Sequence, residues 1–327
     1  MIESLHLNAY RRSVGADCHT PRMREPPCAD TPFSLQPGPE PWQTSWIARG
    51  ELRDQRFEPP AGVTAVTFDR ARLTNIDFSG MRFSEFRVHG GAFEGCDFTG
   101  AAFDQLSLGD TCLRGPWDGA RWPRSVFRGC VFRRTRFAPH TFFGNVRFEK
   151  CLFDRSRLRD QTSTFEAEFV DCVFLGRVRE VNFWGRPHDD DQAALGRDRN
   201  DFTGNDFTGA ELDGVAFHHI DLRAQRLPGP PRYALLDRVS ERVEAVLPLV
   251  ERLPEERHRE EADFSLEFLA DHALERNDDQ ALVSALDMGR RLPPALREEL
   301  FEALRRTSSD TSPGRAGPPR GPGPAGP

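Results

Sequence analysis

Between residues 63 and 113 a bulky apolar side chain returns at every fifth position: Val63, Phe68, Leu73, Phe78, Phe83, Val88, Phe93, Phe98, Phe103, Leu108 and Leu113. An α-helix cannot keep such a stripe on one side, because it turns about 100° per residue and five residues leave the stripe about 140° away. A flat strand fails as well, since an odd step sends alternate large residues to opposite faces. A short extended piece followed by a bend, repeated along the chain, satisfies the pattern. Its central residue and the residue two before it then face inward, and the other three face water. The positions two before each centre hold Val66, Ala71, Ile76, Met81, Phe86, Gly91, Cys96, Ala101, Leu106 and Thr111, none of them charged. The outward positions hold Asp69, Arg70, Arg72, Asp77, Arg82, Glu85, Arg87, Glu94 and Asp97. Gly80, Gly90, Gly95 and Gly100 fall two after the centre, where a bend needs permissive backbone. Four such bends close a square.

The period stumbles at Gly115-Pro116-Trp117 and resumes one residue out of phase with Phe127, Phe132 and Phe137, then again with Phe143, Phe148, Phe153 and Leu158, and with Phe169 and Phe174. A single extra residue at a corner shifts the phase without breaking a stack, as a bulge re-aims a strand. Residues 177–199 are the longest interruption and read as a projecting inserted loop. The beat returns at Phe202, Phe207, Leu212 and Phe217 and stops near residue 228.

Cys96-Asp97-Phe98-Thr99-Gly100, Asn205-Asp206-Phe207-Thr208-Gly209 and Ala210-Glu211-Leu212-Asp213-Gly214 resemble the pentapeptide-repeat family: a small residue, Asp or Asn, a central Leu or Phe, then two polar residues. The resemblance implies a mainly β fold, a right-handed quadrilateral β-helix with stacked Phe and Leu ladders inside. Phe68, Leu73, Phe78, Phe83, Phe93, Phe98, Phe103, Phe202, Phe207, Leu212 and Phe217 are its expected core.

On either side of the repeat the grammar differs. Residues 1–60 lack periodicity, are broken by seven prolines between Pro21 and Pro41, and read as an irregular leader whose Trp42, Trp46 and Ile47 are placed to cover the first coil. The β-helix is expected over 61–228. From residue 230 to 306 the spacing becomes helical: Leu236, Val239, Val243, Val246 and Val250 form one apolar stripe, and further amphipathic helices are expected over 264–274, 282–288 and 296–304. That stripe suits either a cap on the last coil or a homodimer contact. Residues 307–327 are rich in Pro, Gly and Ser and are expected to be disordered.

Composition adds bounds. The net charge of −7 is mild for 327 residues. No basic start is followed by an apolar stretch, and no run of about 18 apolar residues occurs, so the expectation is a soluble, cytoplasmic protein with no membrane contact. Cys96, Cys130, Cys151 and Cys172 sit at the inward small positions and read as free core thiols, and the absence of a Cys-x-x-Cys pair gives no support to zinc. There is no Gly-x-Gly-x-x-Gly after a strand, no phosphate-binding loop and no Gly-x-Ser-x-Gly elbow, so no cofactor and no catalytic residue is expected. His188 followed by Asp189, Asp190 and Asp191 has metal-binding residue types, but an acidic loop run is ordinarily solvated. His218 and His219 are adjacent and point different ways, so no metal site is expected there either.

Charge distribution points further. Residues 114–159 hold twelve basic and three acidic residues, a net +9, whereas residues 160–222 hold five basic and fourteen acidic, a net −9. A non-enzymatic scaffold that binds another protein is the leading expectation, with contacts through Arg124, Arg128, Arg133, Arg134 and Arg136 and through Trp184, Arg186, His188, Asp189, Asp190 and Asp191. The oppositely charged segments could also pair between copies. Nucleic acid is disfavoured, because the aromatics among the arginines face inward instead of interleaving for base stacking. The resemblance implies an alternative partner: some pentapeptide-repeat proteins imitate duplex DNA, bind the type II topoisomerases DNA gyrase and topoisomerase IV, and protect them from quinolones or gyrase poisons. Such a mimic needs negative charge along its length, since DNA carries about one charge per 1.7 Å of axis, and the basic middle segment opposes that.

Overall fold

Phe68 pairs with Val88, Leu73 with Phe93 and Phe83 with Phe103 in parallel register, so the chain lies over its own path again after twenty residues. Four pentapeptides therefore make one coil with four faces, and the protein is mainly β, a β-solenoid followed by helices. The computed structural model describes residues 32–38, 45–109, 123–137, 141, 143–158 and 162–307. Among these, Glu51–Arg53, Arg72–Thr74, Ala92–Glu94, Ser125–Arg128, Val146–Glu149, Ala167–Val170 and Phe202–Thr203 stack in that order as one parallel sheet along the first face.

The interior is set by the spacing of parallel strands, about 4.8 Å. Rings one coil apart on the second face must stack, and they do: Phe78–Phe98 at 4.7 Å between centroids and 3° between planes, Phe98–Phe132 at 4.9 Å and 5°, Phe132–Phe153 at 5.0 Å and 7°, Phe153–Phe174 at 5.0 Å and 6°, and Phe174–Phe207 at 4.4 Å and 2°. Phe68, Leu73, Phe78, Phe83, Phe93, Phe98, Phe103, Phe202, Phe207, Leu212 and Phe217 are all buried. Beside the ladder runs a column of small residues. The free thiols of Cys96, Cys130, Cys151 and Cys172 donate to the carbonyls of Leu73, Phe93, Phe127 and Phe148 in the preceding coil, and the amides of Asn205 and Gln225 continue the pattern onto Phe169 and Phe202. Burial pushes the Cys130, Cys151 and Cys172 thiols well up, so they are poor nucleophiles.

The phase slips are absorbed at corners. Phe127 pairs with Phe148 and Phe148 with Phe169, a return of twenty-one residues instead of twenty, and the sheet is unbroken. Two departures are longer, between Phe93 and its partner Phe127 and between Phe169 and its partner Phe202. Both leave the same edge of the solenoid, after the fourth-face residues Leu108 and Phe183.

The structure corrects the boundaries read from the pattern. The stack starts before residue 61: Trp46–Arg49 pairs with the strand Ala65–Asp69, Glu51–Arg53 pairs with Arg72–Thr74, and the buried Phe57 ring lies 5.2 Å from Phe78. The beat is hidden there because Ala48 fills the place over Phe68 and the inward residues Ala48, Leu52 and Phe57 are unevenly spaced. Trp46 and Ile47 belong to this coil and are not a lid over it. Its edge is covered instead by Ser34–Pro37, which pairs antiparallel with Trp46–Arg49 while Phe33 and Leu35 pack on the core. Residues 177–184 likewise belong to the coil, in Val173–Arg179 and Val181–Trp184 with Val178, Val181 and Phe183 buried, so the true excursion is residues 185–200.

Among the described residues the helices are α1 (Asp189–Leu195), α2 (Val239–Glu251), α3 (Glu256–Arg276) and α4 (Pro294–Arg306). The helix expected over 282–288 is a strand, Gln280–Ser284, pairing antiparallel with Tyr233–Asp237, followed by a 3-10 turn. Leu236, Val239, Val243, Val246 and Val250 are buried with Leu266, Leu300 and Leu304 in a second core. They are therefore spent inside the helical unit and are available neither to cap the solenoid nor to contact another copy. The cap is Tyr233, whose ring joins the solenoid core and whose hydroxyl accepts from the Leu212 amide at 2.9 Å and donates to the Leu212 carbonyl at 3.0 Å. The leader through residue 31, Trp42, the stumble at Gly115-Pro116-Trp117 and the tail beyond residue 307 lie outside the described residues. No described helix is long and apolar enough to cross a membrane.

Candidate partner-binding groove

The excursion after Phe183 begins where two backbones touch. A Cβ at Gly185 would stand 2.1 Å from the His219 carbonyl oxygen, so only glycine fits. The segment closes at Asn200, whose amide donates to the Gly185 carbonyl at 2.9 Å and whose side chain donates to the carbonyls of Phe165 at 2.7 Å and Trp184 at 3.0 Å. Between them lies α1, with Asp189, Asp190 and Asp191 in its first turn, where carboxylates complement the unpaired amides and the positive end of the helix. Asp189 also accepts from Arg186 at 2.7 Å and from Gln192 at 2.8 Å. Asp190 is exposed and Asp191 buried, so the acidic triad serves as a helix start and does not converge on a common point. Among the described residues no group of three or more His, Cys, Asp or Glu converges in a metal-ligand arrangement.

A buried ion cluster fixes the far end of the excursion. Arg197 donates to Asn145 Oδ1 at 2.8 Å and to the Glu166 carbonyl, and lies 3.5 Å from Glu168. Glu168 is also met by Arg124 at 2.9 Å and by Arg147 at 3.4 Å. Burial lowers the Arg197 pKa, a cost opposed by the nearby Glu168 charge.

Along the same edge an outward column of rings is built on the inward ladder. His188 lies 3.8 Å from Phe165, Phe165 stacks on Trp184 at 4.3 Å, Trp184 stacks on His218 at 3.9 Å, and His218 meets His272 of α3 at 4.9 Å. The Arg276 guanidinium lies 5.8 Å from the Trp184 ring. His218 is 2 % exposed, and burial, followed by the His272 and Arg276 charges, pushes its pKa down to about 2. The column ends at an open groove of about 220 Å³ lined by Phe165, Trp184, Arg186, Pro187, His188, Asp189 and His219. One wall is aromatic and the rim carries the Arg186–Asp189 ion pair and imidazole nitrogens, an arrangement suited to gripping an apolar or aromatic side chain beside a hydrogen-bonding polar group.

Of the residues expected to touch a partner, the structure brings Trp184, Arg186, His188 and Asp189 together at this groove, with Asp190 and Asp191 on the adjoining helix. The arginines are elsewhere engaged. Arg124 is drawn to Glu168 two coils on, while Arg128 pairs with Glu149 and Arg133 with Asp154, each of these carboxylates on the next coil at 2.8 Å. Arg134 and Arg136 are exposed and separate from the groove. The +9 and −9 segments meet within one molecule, through pairs such as Arg124–Glu168 and Arg147–Asp201. Phe165, His219, Glu168 and Arg197 were not legible as site residues. The available signal for Phe165 was a large ring four residues before the inward Phe169, outside the beat.

Residues 64–100 match the family described as pentapeptide repeats, in eight copies. No curated protein matches the chain. Among solved structures it is similar to HetL, a pentapeptide repeat protein involved in heterocyst differentiation regulation from the cyanobacterium Nostoc sp. strain PCC 7120, with 14% identity over 57% of this chain and 92% of that one and a TM-score of 0.28. Trypsin-treated QnrB1, a plasmid-mediated fluoroquinolone resistance protein, gives 17% identity over 55% and 90% with a TM-score of 0.25. Rfr23, a pentapeptide repeat protein from the cyanobacterium Cyanothece 51142, gives 8% identity over 56% and 91% with a TM-score of 0.16.

Proposed function

Since this chain is a pentapeptide-repeat protein, we propose that it is a non-enzymatic scaffold that binds another protein, and that the contact is the groove at the Gly185–Asn200 excursion. The carrying observation is that Trp184, held between Phe165 and His218 on the rigid ladder, presents an aromatic wall to an open cleft rimmed by Arg186 and His188. A rigid aromatic anchor of this kind loses little side-chain freedom on binding.

The topoisomerase alternative has less support. A DNA mimic must offer unpaired carboxylates along its length, whereas here Asp69, Asp77, Glu149, Asp154 and Asp213 are each paired with an arginine.

The test is a comparison of proteins retained from cell extract by the full chain and by the exposed-rim variant Arg186→Glu, both checked for unchanged melting. Selective loss of a retained protein with the variant supports the reading. An identical set on both columns overturns it.

A further inference from the structure

Beyond the groove, α3 offers a second surface. We infer that the outer face of α3 is a docking site for a basic amphipathic helix of a partner protein. Two features of that face carry the inference. Phe264 and Phe268, four residues apart and so side by side on the helix, are 71% and 63% exposed. Rings this open on a helix that already buries Ala262, Leu266 and Ala273 on its opposite side are not needed for folding. Glu260, Asp263, Glu267, Asp271 and Glu275 are exposed on the same side, and no Lys or Arg occurs between residues 260 and 275.

The charge chooses the occupant. A second copy laid on this face would oppose carboxylate to carboxylate, and a phosphate backbone or an anionic membrane surface would be repelled. A helix with an apolar stripe flanked by arginines or lysines satisfies both features, its stripe covering the two phenylalanines and its cations pairing with the carboxylates beside them. The face also adjoins the ring column, since Phe268 lies 5.8 Å from His272, which in turn meets His218.

The probe is a fluorescein-labelled synthetic helix with a leucine stripe flanked by arginines, titrated with the full chain and followed by anisotropy, beside a counterpart with Glu in place of each Arg. The expected result is saturable binding of the arginine peptide that weakens as salt rises, with no binding of the glutamate peptide. Phe264→Ser combined with Phe268→Ser, and separately Glu267→Gln combined with Asp271→Asn, should each weaken it about tenfold or more with melting unchanged, because all four side chains are exposed. Arg186→Glu in the groove should leave it unaffected, so failure here and failure of the groove reading are distinguishable. Absence of binding, equal binding of the glutamate peptide, or full affinity in the α3 variants overturns the inference. So does a dimer in light scattering that the phenylalanine variants dissociate, which would assign the face to a second copy.

Discussion

The Nδ1 of His218 accepts a hydrogen bond from the guanidinium of Arg276 at 3.1 Å. Arginine has donors only, so this bond fixes the neutral tautomer with its proton on Nε2, an atom that is buried and makes no hydrogen bond of its own. The contact ties the last coil to α3, together with Asn277, whose side chain donates to the Phe217 carbonyl and accepts from the Ile220 amide.

This junction should weaken in acid. Burial holds the folded-state pKa of His218 at about 2, below the 6.5 of an ordinary imidazole, so the unfolded chain takes up the proton first as pH falls. The stability is full above about pH 6.5 and drains below it by up to ~1.4 kcal/mol per pH unit. Thermal melts at about pH 7.5 and about pH 5 should differ by several degrees for the native chain and much less for His218→Phe, which keeps the stack on Trp184 without a titrating group.

The phenylalanine ladder should respond to shape more than to hydrophobicity. Phe98 is 1% exposed and sandwiched between Phe78 and Phe132. Phe98→Ala leaves a cavity in the stack and is expected to cost ~3–5 kcal/mol in urea unfolding, and Phe98→Leu closer to ~1 kcal/mol. Phe98→Asp, which buries a charge without a partner, should prevent folding. Native-like melting of Phe98→Asp would mean the ring is not inside.

Two ion pairs that look alike on paper should behave differently. The Arg128–Glu149 pair is half open to water, and Arg128→Ala should change stability by less than ~1 kcal/mol. Glu168 is 3% exposed and faces Arg124, Arg147 and Arg197. Glu168→Gln removes the one carboxylate they share and leaves Arg197 buried with poor compensation, for an expected loss of ~3–5 kcal/mol and faster proteolysis within residues 185–200. Equal effects of the two substitutions in chemical denaturation would contradict this placement.

Because carboxylates along its length, among them Asp69, Asp77, Glu149, Asp154 and Asp213, are paired with arginines of neighbouring coils, the purified chain is expected neither to inhibit DNA gyrase supercoiling nor to relieve its inhibition by a quinolone. A supercoiling assay over a wide concentration range decides this. Inhibition or protection at micromolar protein would restore the DNA-mimic reading.

The sequence by itself determined the repeat. Any chain with an inward residue at every fifth position must turn a corner every five residues, and the burial of Phe68, Phe78, Phe98 and Phe207 follows from local geometry alone. What departs from the beat was decided by tertiary structure. Ala48 and Phe57 are core only because parallel pairing sets them against Phe68 and Phe78, a partnership the uneven local spacing does not advertise. The acidic triad at 189–191 is a helix start, and Leu282 lies on a strand because Leu235 pairs with it across the sheet. The groove was half legible. Trp184, Arg186 and His188 break the pattern and so attract notice, but Phe165 and His219 join them only because corners one coil apart stack about 4.8 Å from each other, bringing together residues more than fifty positions apart in the chain. The basic and acidic segments show the same limit: their totals are a property of composition, and their contact is a property of the coil register that sets Arg147 beside Glu168.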